Sequence, residues 1–130
     1  MSIFFVALAC VKTDVKIDIR KNLNSNHLLK FIEEEYDFGN VNVSEKEVSK
    51  DFVFQNRSDE QIIISYVETS CNCIINSWPS KPLDSKQVDT INVVYNTYHK
   101  AHFFSKSIYV YHSGDNSPME LKIKGHIIDY

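Results

Sequence analysis

Glycine and proline are both scarce, at three residues each in a chain of 130. So few glycines all but exclude a phosphate-cradling loop, and neither a P-loop nor a G-x-G-x-x-G pattern occurs. G-x-S-x-G and H-E-x-x-H are absent too, which removes the usual serine-hydrolase and zinc-protease signatures. With 43% apolar residues, eight Phe and seven Tyr, the chain lacks the composition of a low-complexity or disordered segment over most of its length. Concentrated positive charge is missing as well. The formal net charge is −3, and Arg20-Lys21 and Lys122/Lys124 are too thin a basic stretch to track a phosphate backbone. Nucleic acid is therefore not expected as a partner. No apolar run approaches the length needed to span a bilayer.

What is present is enough for one domain with short appendages, and for one core without staples. The N-terminus stands apart. Residues 2–10, "SIFFVALAC", are apolar and end in cysteine. They resemble the end of a bacterial lipoprotein signal peptide, in which a small residue, here Ala9, precedes the cysteine that receives the lipid. Ala7 and Leu8 fit the two earlier positions less well, and the basic opening region of a signal peptide is absent. The expectation is a truncated signal segment over residues 1–10, with the natural start upstream and Cys10 as the lipidation site. Residues 11–30 then read as a tether lifting the domain off the membrane, with "VKIDI" as a weakly alternating strand candidate. The third unit, residues 31–130, is the folded domain.

From Leu28 onward the pattern has period two and no sustained helical run. "EEEYDFGNVNV" reads as a strand, a break at Gly39 and a short continuation. "VSKDFVFQN" puts Val48, Phe52 and Phe54 on one face and Ser49, Asp51 and Gln55 on the other. "NRSDEQ" is a turn before the β-branched strand "QIIISYVET". "NSWPSKPLDSK" carries two prolines and reads as loop with at most edge pairing. "VDTINVVYNT" places Ile91, Val93 and Tyr95 on one side. "FFSKSIYVYHS" follows, and "SGDNSP" turns into "MELKIKGHII", where Leu121, Ile123 and Ile127 share a face. About seven strands without a helix predict an all-β, immunoglobulin-like antiparallel β-sandwich. The Cys…Trp…Cys spacing of antibody domains is absent, because Trp78 follows both nearby cysteines.

Three side-chain groups invite a chemical reading. Cys71-Asn72-Cys73 can grip a soft metal, because two thiolates on same-side positions of an extended chain aim at one spot. Copper or zinc would suit it, with His99, His102, His112 or Met119 as further ligands. His99 and His102 share the hairpin tip "YHKAH". The pair can equally form a disulfide, structural or redox-active, or simply pack at the mouth of the sandwich. In an exported protein two close thiols rarely stay reduced. Trp78, in a loop between Ser77 and Pro79, is either an exposed anchor for a partner or a plug at one end of the sandwich. The run Glu33-Glu34-Glu35 reads as a solvated edge, and in Asp37-Phe38-Gly39 the glycine bends the strand while Phe38 fills the core.

The motifs "YDFGNV", "DFVFQNRSDEQIIISYVETSCNCIINSWPSKPL", "NVVYNT" and "FSKSIYVYHSGDNSPMELKIKGHI", in that order, resemble the domain of unknown function 1573 family over residues 33–128. The Asp37-Phe38-Gly39 start, the Asn56 turn, Thr69-Ser70-Cys71-x-Cys73 and the closing Lys124-Gly125 carry the likeness. The resemblance implies an Ig-like sandwich, often exported and lipid-anchored, similar to major-sperm-protein and Hydin-type modules, which bind and scaffold. It implies no established activity. The chain departs from the family pattern at Asn72, at Asp84-Ser85, in "YHKAH" and in "VSEKE", where glycine or Pro-Gly is usual. Asn72 puts the conformation of the cysteine loop in question, because some of these sites need φ > 0.

Two functions follow as expectations. One is a non-enzymatic binding or assembly module, exported and membrane-anchored through a lipid, whose loops or edge strands contact protein or glycan in the cell envelope. The other is a copper- or thiol-handling protein using Cys71 and Cys73.

Overall fold

The computed structural model describes residues 28–116 and 118–129. The expected signal segment, Cys10 and the tether through residue 27 lie outside them. The described residues form eight strands: β1 (Leu29–Phe31), β2 (Glu35–Asn42), β3 (Glu47–Asn56), β4 (Ile64–Thr69), β5 (Ile74–Ser77), β6 (Val88–Asn96), β7 (His102–His112) and β8 (Met119–Ile128). They form two four-stranded sheets, in the orders β1-β3-β6-β5 and β2-β8-β7-β4. The sequence pattern foresaw the long strands and missed the two shortest. β1 begins within the stretch read as tether, and β5 runs into the stretch read as loop with at most edge pairing.

Period two explains the architecture. Phe52 and Phe54 of β3, Ile91, Val93 and Tyr95 of β6, and Leu121, Ile123 and Ile127 of β8 all point inward and are buried, as their spacing requires. Their partners on the opposite faces meet solvent. Full burial of each large side chain stabilises the fold by roughly 2 kcal/mol, so the core rests on alternation rather than on the cysteines. Every pairing is antiparallel except β2 with β8, which is parallel.

Asn56 explains why its turn is part of the motif. It is fully buried. Its amide donates to the carbonyls of Glu60, Leu83 and Asp84 at 2.8, 3.0 and 3.1 Å, and its Oδ1 accepts from Ser58 N–H and Oγ–H. One side chain thus ties the turn after β3 to the loop before β6, beside the Ile62–Leu83 bridge. A buried amide is tolerated only with its hydrogen bonds made, and here they are.

The sandwich has two flanks. β1 and β2 are joined by residues 32–34 and bound one flank. β4 and β5, joined by the cysteine loop, bound the other.

Candidate functional site

Cys71 and Cys73 sit where the chain leaves β4 in one sheet and enters β5 in the other. They are joined to each other as a disulfide, with Cα atoms 5.3 Å apart. Cys73 is buried, Cys71 packs partly against the core and Asn72 is exposed. Cys73 O accepts from Asn96 N–H at 2.8 Å, and Thr69 Oγ1 donates to Cys71 O at 3.3 Å. In this state both sulfurs are committed to one another, and neither is a thiolate able to hold copper or zinc.

His99 and His102 have polar partners of their own. The cysteine loop and the β6–β7 tip do meet, through the Asn96–Cys73 hydrogen bond. His102 Nδ1 lies 2.5 Å from Lys100 O, and a carbonyl only accepts, so Nδ1 carries the proton. Nε2 then accepts from the Tyr95 hydroxyl at 2.7 Å. Burial, with Tyr98 adding to it, pushes the Tyr95 phenol up and holds that proton in place. A metal at His102 would have to displace Tyr95. His99 Nδ1 is 3.0 Å from Val43 O. Met119 is buried in the core, and His112 is buried at the end of β7. Among the described residues no group of three or more His, Cys, Asp or Glu side chains converges as a metal site.

Some of the departures from the family pattern do fall at positive φ, but the cysteine loop is not one of them. Asn72 is not among the left-handed residues. Lys86, Tyr98 and His99 are, at φ 69°, 58° and 52°. Tyr98 and His99 are the two central residues of the β6–β7 turn, closed by Lys100 N–H to Thr97 O at 3.3 Å. Both at positive φ make a type I′ turn, which glycine or asparagine normally fills. Side-chain caps hold the strain: Asn96 Oδ1 accepts from Tyr98 N–H at 2.8 Å, and buried Thr97 donates to Glu45 O at 2.5 Å.

Trp78 is half-buried and packs on the core, with its ring edge-to-face on Tyr66 at 6.3 Å. It therefore props Tyr66, which is 54% exposed and also lies 6.4 Å from the Tyr111 ring. Ile63, just before β4, and Ile75, on β5, are two further large apolar side chains left 46% and 68% exposed on the edge segments. Sequence reasoning singled out Trp78 and overlooked Ile63, Tyr66 and Ile75. The signal was available. Ile62-Ile63-Ile64 and Ile74-Ile75 cannot all face inward in sheets packed on one face, so one member of each run must point out.

Among the described residues β4 and β5 each have one strand neighbour. Along β5, the bond from Asn96 N–H to Cys73 O makes Ile74–Tyr95 a pair without mutual hydrogen bonds. The backbone groups of Ile74 and Asn76 therefore face outward, away from β6.

The opposite flank is blunted. β1 covers only the end of β3, leaving residues 47–52 without a strand neighbour on that side among the described residues. There Lys50, on the inward face with Phe52, points its ammonium 2.7 Å from Glu33 and 4.3 Å over the Tyr36 ring. An inward-pointing edge charge is a known bar to strand pairing. On β2 the register to β8 shifts between Asp37 and Asn40, with Gly39 at φ 69° and its N–H capped by Asp37 Oδ1. That bulge twists the edge out of register for a further strand.

The family model described as a protein of unknown function (DUF1573) matches residues 29–127. The chain belongs to this family. No curated protein matches it by sequence. Among solved structures, the DUF1573 chain is similar to the ASH/PapD-like domain 7 of human CEP192, with TM-score 0.65, 8% identity, and 79% of this chain and 87% of that one covered. It is also similar to a Porphyromonas gingivalis W83 protein of unknown function, with TM-score 0.66, 8% identity, and 77% and 46% covered. WR4, an MSP family member of Caenorhabditis elegans, gives TM-score 0.53 and 11% identity, over 78% and 98%. At these identities the likeness is one of fold: DUF1573 is here an Ig-like sandwich of the PapD-like and MSP kind. Neither the family nor these neighbours indicates an enzymatic activity, and nothing in them points to copper handling.

Proposed function

We propose that this domain is a non-enzymatic binding or assembly module of the cell envelope, anchored through a lipid on Cys10, that receives a protein partner along its β4–β5 flank. The carrying observation is the contrast between flanks. An inward charge blunts the β1–β2 flank, whereas the β4–β5 flank, though its register also shifts between Ile64 and Tyr66, carries exposed Ile63, Tyr66 and Ile75 and outward backbone groups on β5. An unprotected apolar edge is a liability unless something covers it. Trp78 contributes from beneath, by fixing Tyr66, and the disulfide fixes where the two edges part.

A photo-crosslinking residue replacing Ile75 in the full-length protein, expressed in a bacterium that lipidates it, is expected to give a discrete protein adduct. The same residue replacing Asp51, on the blunted flank, is expected to give none. Equal adduct patterns at the two positions would sink the reading. Incorporation of an alkyne-tagged fatty acid, lost in Cys10→Ala, tests the anchor separately.

A further inference from the structure

The outer face of the β2-β8-β7-β4 sheet carries a second feature that the flank does not explain. At the end of the sheet near the β6–β7 tip lies a concavity of about 580 Å³. Phe103 stands at its rim, 77% exposed, with its ring stacked on His126 at 3.7 Å and 13° between planes. The two residues are cross-strand partners on β7 and β8. Asp37 and Lys124, also register partners, and Asn40 and Ser105 provide the polar lining.

Each group is set for a ligand with a weakly polar face and many hydroxyls. Stacking fixes the Phe103 ring, so little side-chain freedom is lost when something covers it. A large aromatic surface left in water is unfavourable and gains by being covered. Gly39 N–H holds Asp37 Oδ1 at 2.8 Å, which orients the carboxylate with its other oxygen outward from that bond. The Asn40 amide and the Ser105 hydroxyl have no side-chain hydrogen-bond partner among the described residues, so donors and acceptors are on offer. A Cβ at Gly39 would meet no atom within 4 Å, which keeps the mouth open.

Charge decides the class. Asp37 and Lys124 face the same space and offset one another, and Glu35 lies 3.5 Å from Lys124 Nζ. An anionic ligand would meet the Asp37 carboxylate and a cation already partnered by Glu35 outside the lining. A cationic ligand would meet Lys124. An uncharged ring with C–H groups on one face and hydroxyls around its edge meets neither penalty. Its polarised C–H groups suit the negative face of an aromatic ring, and the volume lies within the range of small-ligand sites. We infer that this concavity binds a neutral pyranose unit of a polysaccharide, with Phe103 as the stacking surface and Asp37, Asn40 and Ser105 as hydroxyl partners.

This inference does not rest on the β4–β5 flank, and the test keeps the two apart. The full chain is titrated by calorimetry with cellotetraose, chitotetraose and maltotetraose, and with tetragalacturonate as an anionic counterpart. At least one neutral tetrasaccharide is expected to bind. Phe103→Ala is expected to weaken it by about tenfold or more, the scale of losing an aromatic contact. Because Phe103 is exposed, the variant is expected to keep the wild-type melting curve. Ile75→Lys, on the flank, is expected to leave sugar binding unchanged. The inference is overturned if no neutral sugar binds at roughly 10 mM, if Phe103→Ala binds as the wild type does, or if tetragalacturonate binds as well as the neutral chains.

Discussion

On the β1–β2 flank the chain uses three devices against further pairing: Lys50 aimed inward, the bulge at Gly39 and an acidic run beside it. The β4–β5 flank shares only the register shift, between Ile64 and Tyr66, and among the described residues its strands carry no inward lysine and no acidic run. That flank has isoleucines, a tyrosine and a disulfide. Both flanks belong to the same fold and face the same solvent, so the fold does not require the difference. A sandwich needs two open flanks; it does not need one of them apolar. The asymmetry therefore supports the proposed contact better than any single residue does.

Four changes would break or sharpen this comparison. Gly39→Val, on the blunted flank, is expected to cost about 2 kcal/mol, because a β-branched residue must hold φ near 69°. No atom crowds the site, so the cost is conformational; a urea denaturation midpoint that does not move would contradict it. On the other flank, replacing Cys71 and Cys73 by serine is expected to cost about 1.5 kcal/mol, the closure entropy of so short a loop. The fold should survive, since the core does not depend on the bond. Circular dichroism of the double variant checks this.

Tyr95 lies under the β5 edge, opposite Ile74. Tyr95→Phe removes the bond to His102 and is expected to cost about 1 kcal/mol. It also carries a pH signature. The folded state holds the Tyr95 proton above the ordinary tyrosine value of about 10, whereas the unfolded chain releases it there. The wild type should therefore lose stability as pH rises past about 10, and part of that loss should be missing in Tyr95→Phe. Urea curves between about pH 8 and 11 would show it. The smallest change in stability, within about 0.5 kcal/mol, is expected for Lys50→Val. Its effect is on association: with the inward charge gone, light scattering should report a rise in mass with concentration. Ile75→Lys should show no such rise.

Much of the fold was legible because alternation is legible. The inward sets Phe52/Phe54, Ile91/Val93/Tyr95 and Leu121/Ile123/Ile127 follow directly from spacing. β1 and β5 were not, because strands of three and four residues are too short to display a period. Of the candidate site, the cysteine pair was visible but its state was not, since spacing is compatible with thiols, metal or disulfide. The apolar flank and the Phe103 surface were legible in a form that went unread. Ile62-Ile63-Ile64, Ile74-Ile75 and Phe103-Phe104 each break alternation, and in each the outward member is one of the exposed large residues. The contrast between flanks could not be read from sequence. It depends on which strand ends lack a neighbour, which only the assembled sheets decide.

The parallel pairing of β2 with β8 gives the molecule a direction. Leu29 pairs with Asn56 at the far end of β3, while β8 finishes beside the end of β2. The described chain thus enters at one pole and leaves at the other, and a ten-residue strand spans roughly 33 Å. The turn of Tyr98 and His99 and the Phe103–His126 stack lie at the exit pole; Ser113 and Gly114 lie at the entry pole. A tether on the N-terminal side would make the domain a short mast, with its strained turn and aromatic stack held some 30 Å farther out than the point of attachment.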